Sequence, residues 1–359
     1  MRHGRIRAAL LSIVALAMLA GSSLGGARPE AASAGGSQTW DVIVGTDLEA
    51  EFLSAQTFFP NPLAISVGDT VTFAFRGFHT VTFLSGQPAP GFEMPGPAAG
   101  TLMLNPQVFF PSVPPGTTKV TYDGTGYLNS GAPEEPEDEG EGPPPPFAVT
   151  FTAAGSYSYV CLIHPGMVAR LVVAPAGAPL PETPAQASAR GQAQLQEVLA
   201  TMRASAAQVR SAQPVSVATP GGATVHTALA GLGFAGGASK QAFLPDRLSV
   251  RRGDVVVWTM PDPFEIHTVT FVSGAEAPGF VEPQFGPGGP GAGPPRLVIP
   301  ANVVNPTGGT TYTGTGYVNS GILGNGASFA LRVDAPAGTY DYLCIVHPFM
   351  RGTVTVTEP

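Results

Sequence analysis

Basic residues and cysteines are both scarce in this 359-residue sequence. Lysine and arginine together number 17 against 25 aspartates and glutamates, and the formal net charge is −8. A protein that binds nucleic acid needs a basic face to meet the phosphates, so this charge balance argues against that class. The two cysteines, Cys161 and Cys344, allow one disulfide at most within a chain.

Long hydrophobic runs are also missing, apart from one near the beginning of the sequence. Arg2, Arg5 and Arg7 precede an apolar run over residues 8–20, and small residues at 32–34 offer a cleavage site. We interpret residues 1–34 as a secretory signal and expect a periplasmic or extracellular protein. The apolar run is short for a membrane span, so membrane association is expected only if this segment is retained.

Removal of residues 1–34 would take away four arginines and one glutamate, which lowers the formal charge from −8 to about −11. The 46 glycines and 38 prolines separate short β-branched runs such as 70–75 and 254–258. This pattern is typical of an all-β protein with long loops. An acidic run over 134–141 precedes four prolines and indicates a solvated loop, or alternatively a docking site for a basic partner.

Each cysteine begins the same short motif. The motif Cys-x-x-His-x-x-Met occurs twice, at Cys161, His164 and Met167 and at Cys344, His347 and Met350. Thiolate and thioether sulfur favour soft metals, and imidazole also suits copper. We therefore interpret each motif as part of a copper site.

The second half of the sequence repeats the first at several further places. The matching segments are 252–255 with 67–70, 267–271 with 79–83, 277–280 with 89–92, and 313–321 with 123–131. Tandem duplication of one domain accounts for this correspondence. We place the first domain at 38–175, a linker at 176–214 and the second domain at 215–359. Within the linker, Leu195, Val198, Leu199 and Met202 have helical spacing, which predicts one helix.

A further histidine recurs in both halves and can complete each site. The predicted metal ligands are His79, Cys161, His164 and Met167 in the first half, and His267, Cys344, His347 and Met350 in the second. Two imidazoles and a thiolate with a weak axial thioether form the blue-copper arrangement, which serves electron transfer. The sixth histidine, His226, has no counterpart, and we expect it at the surface or on an edge strand.

Both motifs resemble the copper loop of amicyanin, in the plastocyanin/azurin family of cupredoxins, which have the short form Cys-x-x-His-Pro-x-Met. The loop over 344–350 is the closer copy, because Gly166 in the first loop stands where the second has Phe349. The resemblance implies two Greek-key β-sandwich cupredoxin domains joined by a short helical linker, each with one type 1 copper. It also implies that His164 and His347 lie at the surface, within an apolar patch that docks redox partners.

Two features depart from the family pattern. About eighty residues separate the first histidine from the cysteine in each half, and the excess is rich in proline and glycine. Thr80 and Thr268 follow the first histidines, where the family usually has an asparagine that helps to pin the cysteine loop. Because outer contacts tune a metal site, the second departure bears on the reduction potentials.

Several alternatives remain at this stage. The two cysteines could form a disulfide. Met167 and Met350 could fill gaps in the core, as methionine often does, and we expect Met94 and Met103 to be packing residues and not metal ligands. Structural zinc prefers several cysteines or histidines and does not use methionine.

We expect a carrier of electrons and no enzyme. A nitrite reductase or laccase of the two-domain kind would need further histidine ligands, and copper storage or delivery would favour exposed methionine or histidine clusters. We expect redox proteins as partners.

Overall fold

The computed structural model describes residues 36–114, 117, 119–133, 144–210, 215–289 and 293–358. These residues belong to one compact unit, Ala31–Pro359. The predicted signal over 1–34, the acidic run over 134–141, and residues 211–214 of the predicted linker lie outside the described residues. In the described part, no helix is long and apolar enough to cross a membrane.

The described first half forms two groups of strands, one short α-helix and one 3₁₀ turn at Glu49–Glu51. Its elements are β1 (Thr39–Leu48), β2 (Leu53–Phe59), β3 (Leu63–Ser66), β4 (Thr70–Phe75), β5 (Thr82–Phe83), β6 (Glu93–Pro95), β7 (Leu102–Leu104), α1 (Pro106–Phe109), β8 (Lys119–Tyr122), β9 (Leu128–Asn129), β10 (Phe147–Phe151), β11 (Gly155–Val160) and β12 (Val168–Ala174). One group has the order β2-β1-β4-β10-β8, and the other has the order β3-β12-β11-β5-β9.

The long helix α2 (Pro184–Arg210) leads into the second half. The elements that follow are β13 (Ser216–Ala218), β14 (Thr224–Phe234), β15 (Ala238–Leu244), β16 (Arg247–Arg251), β17 (Val255–Thr259), β18 (Thr270–Phe271), β19 (Glu282–Gln284), β20 (Arg296–Ile299), α3 (Ala301–Val304), β21 (Thr311–Tyr312), β22 (Val318–Asn319), β23 (Ser328–Val333), β24 (Gly338–Leu343) and β25 (Arg351–Thr357). Its two groups have the orders β15-β14-β17-β23-β21 and β16-β25-β24-β18-β22, which repeat those of the first half strand for strand.

Alternating side chains explain why these segments form half-buried strands. In β4, Val71, Phe73 and Phe75 are buried while the threonines and alanine between them are less so. Successive side chains of a strand point to opposite faces, so this alternation directs one face into the core. The all-β expectation is confirmed.

Aromatic side chains fill the two cores in matching ways. In the first half, Tyr159 contacts Phe58 and Phe83, with ring centroids 4.7 Å and 5.4 Å away. In the second half, Tyr342 contacts Phe243 and Phe271 at 4.6 Å and 5.2 Å. Each tyrosine stands two residues before a cysteine, so these cores support the strands that carry the cysteines.

Strand pairing joins the two halves directly. Strand β2 pairs antiparallel with β15, with Ser54 opposite Ser239, so the sheets of both halves form one continuous sheet. A second joint sheet forms from the long loops, in the order β19-β20-β7-β6. The proline- and glycine-rich excess between the first histidine and the cysteine therefore supplies contacts between the halves.

Helix α2 is packed against the sheet and does not act as a free spacer. Thr183 and Gln186 cap its start reciprocally, since the Gln186 amide donates to Thr183 Oγ1 (3.3 Å) and the Thr183 amide donates to Gln186 Oε1 (2.8 Å). The predicted residues Leu195, Leu199 and Met202 are buried in one cluster with side chains of β1, β2 and β15. The predicted helix is thus present, and it braces the junction between the halves.

We expect Leu199→Ala to lower the free energy of unfolding by about 2–3 kcal/mol, because it removes a buried side chain and leaves a cavity. Leu199 is 6% exposed and shares its cluster with Ile43 and Phe59. Urea denaturation of both proteins measures the difference. The exposed neighbour Gln196 provides the control, since Gln196→Ala should change stability by less than about 0.5 kcal/mol. Equal effects of the two substitutions would contradict the packing role.

Candidate metal centres

The first candidate site brings together three of its four predicted ligands. His79 precedes β5, Cys161 follows β11, and His164 lies in the loop before β12. Cys161 Sγ lies 3.9 Å from His79 Nδ1 and 3.7 Å from His164 Nδ1, and the two Nδ1 atoms are 2.9 Å apart. All three residues are buried.

The second candidate site has the same arrangement. Cys344 Sγ lies 3.8 Å from His267 Nδ1 and 3.8 Å from His347 Nδ1, and the two Nδ1 atoms are 3.2 Å apart. A metal ion in a protein lies about 2.0–2.1 Å from imidazole nitrogen and about 2.3 Å from thiolate sulfur. Every separation in both triangles is shorter than two such bonds placed end to end. One ion can therefore contact all three atoms in each half.

Backbone hydrogen bonds close the two ligand loops in the same way. The Cys161 amide donates to the Met167 carbonyl (3.0 Å), and the Met167 amide donates to the His164 carbonyl (3.3 Å). The corresponding bonds in the second loop, Cys344 to Met350 and Met350 to His347, measure 3.0 Å and 2.8 Å. These bonds hold each methionine beside the strand end that carries the cysteine.

Both methionines of the motifs are buried. Met167 belongs to the same core cluster as Cys161, and Met350 to the same cluster as Cys344. By contrast, Met94 is 39% exposed on β6, and Met103 lies on β7 in the loop sheet. The two loops differ at their next-to-last position, where Gly166 has φ +83° and Phe349 stacks on Phe52 with centroids 6.0 Å apart.

A glycine makes room for the first histidine of each site. Gly45 lies at a bulge in β1 with φ +64°, and a Cβ there would be 1.9 Å from His79 Nε2. Gly231 lies at the matching bulge in β14 with φ +82°, and its Cβ would be 2.1 Å from His267 Nε2. Sequence reasoning missed both, although an isolated glycine inside a strand pattern is a signal for a bulge or a close approach.

The threonines after the first histidines pin the cysteine loops. Thr80 Oγ1 accepts from the Leu162 amide (2.8 Å), and Thr268 Oγ1 accepts from the Ile345 amide (2.8 Å). The Thr80 amide also donates to Cys161 Sγ (3.4 Å). In the second half, the Thr268 amide donates to Cys344 Sγ (3.3 Å). A threonine thus makes the loop contact that the resemblance assigned to asparagine.

The surroundings of the two thiols favour their ionised form. Burial raises the pKa of Cys161, but contacts from His164 and His79 outweigh burial and hold it well below the ordinary value. Burial also raises the pKa of Cys344, but contacts from His267 and His347 outweigh burial and hold the pKa well below its usual range. Since the thiolate is the metal-binding form, both sites are suited to bind a soft ion. Both cysteines are free, which leaves no disulfide between them.

The expectation that the second histidines lie at the surface is wrong for His164, which is buried, whereas His347 is partly buried beside the exposed Pro348 and Phe349. His164 is 7% exposed, and its Nε2 lies 3.5 Å from Glu265 Oε1. His347 Nε2 lies 3.7 Å from the other oxygen, Oε2, of the same carboxylate. Burial raises the pKa of Glu265, but the charges of His164, His347 and His267 outweigh it and hold the pKa below its ordinary value. Sequence reasoning also missed Glu265.

The unmatched histidine, His226, contacts an aspartate and a serine. His226 lies on β14, where its Nε2 is 3.1 Å from Asp254 Oδ2 and its Nδ1 is 3.0 Å from Ser216 Oγ. In the first half, Trp40 Nε1 donates to Asp69 Oδ2 (2.9 Å) from the matching register position. His226 thus takes the place of a tryptophan that bonds an aspartate, away from both triangles.

Comparisons with known proteins place small copper proteins among the similar solved structures. The chain is similar to a methionine-to-alanine variant of amicyanin with Cu(I), at 20% identity over 40% of this chain and 92% of that chain, with a TM-score of 0.22. It is similar to a purple cupredoxin from Nitrosopumilus maritimus, at 20% identity over 36% of this chain and 98% of that chain, with a TM-score of 0.20. No family model and no curated protein matches the sequence.

Proposed function

We propose that this protein is an exported electron carrier with one mononuclear type 1 copper centre in each half. The observation that carries the proposal is the pair of triangles, each formed by two imidazole Nδ1 atoms and one cysteine sulfur, with five of the six residues buried and His347 partly buried. The donors and their spacing fit a single soft ion. We further propose that the halves are cupredoxin domains that arose by tandem duplication, in keeping with their repeated strand order.

The donor set favours copper over zinc. Two imidazoles and a thiolate with a methionine nearby form the ligand set of blue-copper electron-transfer sites. Copper bound there would supply a one-electron couple between Cu(I) and Cu(II). Met167 and Met350 are the proposed axial ligands, since each is buried in one cluster with the cysteine of its site.

The protein's own residues would keep each site rigid and dry. Gly45 leaves space for the His79 imidazole, and Gly231 leaves space for the His267 imidazole. Thr80 and Thr268 fasten the cysteine loops, and backbone amides donate to both sulfurs. A site that rearranges little when its charge changes exchanges electrons readily. Burial of the ligands also limits access for a substrate, which favours a carrier over an enzyme.

Copper loading tests this proposal. We expect two copper ions per chain, a blue colour from thiolate-to-copper charge transfer, and an electron paramagnetic resonance spectrum with type 1 signals only. Cys161→Ser and Cys344→Ser should each remove about half of the absorption and one copper ion. Colourless loaded protein would refute the type 1 centres, and loss of both sites in either variant would refute their independence.

A second measurement separates the carrier from an enzyme. The loaded protein should accept and release electrons stoichiometrically with small redox reagents. It should show no steady consumption of nitrite or oxygen under the same conditions. Continuous turnover of either substrate, abolished by Cys161→Ser or Cys344→Ser, would favour an enzyme of the nitrite reductase or laccase kind instead.

A further inference from the structure

We propose that Glu265 is a shared carboxylate that links the two metal centres through His164 and His347, and that it provides a route for electron exchange between them. This inference rests on the proposed function and adds an internal connection to it. The two centres would then act as one two-electron unit instead of two separate carriers.

The geometry places Glu265 between the two histidines. Its carboxylate oxygens lie 3.5 Å from His164 Nε2 and 3.7 Å from His347 Nε2, and its side chain is 7% exposed. Two glutamines hold it in place, since Gln56 Nε2 donates to Oε1 at 2.7 Å and Gln241 Nε2 donates to the same oxygen at 3.0 Å. The carboxylate is thus fixed by side chains from both halves.

The two glutamines occupy equivalent positions. Strands β2 and β15 pair with Ser54 opposite Ser239, and each glutamine stands two residues after its serine. The carboxylate therefore lies close to the local two-fold axis that relates strands β2 and β15. From such a position, one acidic side chain can contact the same histidine of both sites.

Glu265 itself has no counterpart in the first half. Arg76 and Pro261 occupy matching places, because their carbonyls accept from Asp47 and from Gly233 in the same way. Two residues separate Arg76 from His79, whereas five separate Pro261 from His267. The longer connection in the second half carries Glu265 into the space between the sites.

The chemistry of a metal-bound imidazole explains what this carboxylate does. In each site, Nδ1 faces the cysteine, so the remaining proton of a bound neutral imidazole is on Nε2. His164 Nε2 lies 3.5 Å from Glu265 Oε1, and His347 Nε2 lies 3.7 Å from Glu265 Oε2 and 3.4 Å from Gln241 Nε2. A carboxylate in this position fixes the ring, raises the basicity of the ligand and so stabilises the oxidised metal. Here one carboxylate would do so for two centres at once.

The same contacts form a continuous path. It runs through the His164 ring, the Glu265 carboxylate and the His347 ring, with gaps of only 3.5 Å and 3.7 Å. With copper held by both triangles, one electron would pass from the reduced to the oxidised centre, no bond would break, and both imidazoles would keep their Nε2 protons. His164 is buried and the His347 side chain is 13% exposed, so both histidines are placed for exchange within the chain.

Copper affinity and reduction potential test the shared carboxylate. Glu265→Gln should weaken Cu(II) binding in both halves by about 10–100-fold, the usual effect of losing an outer partner of a ligand. It should also raise both reduction potentials, measured by spectroelectrochemistry. Glu265→Asp, which keeps the charge on a shorter side chain, should show a smaller effect. A change in only one centre, or in neither, would overturn the inference.

Electron exchange is measured by rapid reduction of fully oxidised, copper-loaded protein with less than one electron per chain. We expect a redistribution rate that is independent of protein concentration and falls at least tenfold in Glu265→Gln. Asp69→Asn is the matched control. Asp69 is also buried but contacts Trp40 and the amides of Gln38 and Ser66, so its substitution should leave the exchange rate unchanged. An equal loss of rate in both variants would contradict the path.

The unaltered protein gives an independent test that does not depend on a variant folding. In the diamagnetic Cu(I) form, nitrogen-edited NMR should detect slowly exchanging Nε2 protons on His164 and His347. Rapid exchange of either proton with solvent would argue against the shared carboxylate. If the protein took up no copper at all, the proposed function would fail. If it took up two copper ions but these protons exchanged rapidly, only the inference about Glu265 would fail.

Discussion

Gly45→Ala is expected to abolish copper binding in the first half and leave the second half intact. The added Cβ would lie 1.9 Å from His79 Nε2, far inside van der Waals contact, so the imidazole must leave its place beside Cys161. Gly231→Ala should have the reverse selectivity, because its Cβ would lie 2.1 Å from His267 Nε2. Metal analysis should find one copper per chain in each variant, with about half of the blue absorption.

Backbone strain must be separated from this steric effect. Both glycines have positive φ, a conformation in which alanine is disfavoured wherever it occurs. Gly126 (φ +76°) and Gly222 (φ +85°) provide matched controls, since a Cβ at either meets no atom within 4 Å. Gly126→Ala and Gly222→Ala should keep both copper ions. Loss of copper in the controls would show that backbone strain is the cause. Retention of two ions in Gly45→Ala would show that the His79 imidazole does not need the space that Gly45 leaves.

The local parts of this fold follow from the sequence, because strand patterns depend on neighbouring residues. The segment 70–75 is a strand over the residues expected, and the helix around Leu195 and Leu199 is present. In the repeated segment 79–83, only Thr82–Phe83 forms a strand. The residues before it, including His79, instead turn the chain into the first site.

The long-range parts of the fold could not be read in the same way. Strand β2 was not predicted, although it supplies the pairing of Ser54 with Ser239 that joins the halves. Its residues are buried on both faces, since one side meets helix α2 and the other meets the core. Such a strand lacks the alternation by which half-buried strands are recognised.

The candidate ligands were accessible to sequence reasoning because their spacing occurs twice. The recurrence of His79 and His267 marks positions that share one geometry, and the structure places each beside its cysteine. Glu265 occurs once and in a segment without a repeat, so no pattern marks it. Its position between His164 and His347 depends on how the halves associate, which no local signal encodes.

The second large effect is expected from the asparagines that connect the loops to the sites. Asn129 is fully buried, and its Nδ2 donates to the carbonyls of Gln107, Val108 and Phe110 at 3.0, 2.9 and 3.2 Å. Its Oδ1 accepts from Thr82 Oγ1 (2.8 Å). Thr82 in turn contacts the hydroxyl of Thr80, which fastens the cysteine loop. In the second half, Asn319 Oδ1 accepts from Thr270 Oγ1, and its Nδ2 donates to the carbonyls of Asn302 and Val303.

Asn129→Leu should therefore lower the free energy of unfolding by about 3 kcal/mol, because buried carbonyls and a hydroxyl lose their partner. It should also alter the absorption of the first centre alone, since the loop of Cys161 loses part of its support. Urea denaturation and the visible spectrum measure the two effects. The same substitution at the exposed Asn302 should change stability by less than about 0.5 kcal/mol. A spectrum of Asn129→Leu identical to that of the unaltered protein would show that the hydrogen bonds from Asn129 through Thr82 and Thr80 do not affect the metal site.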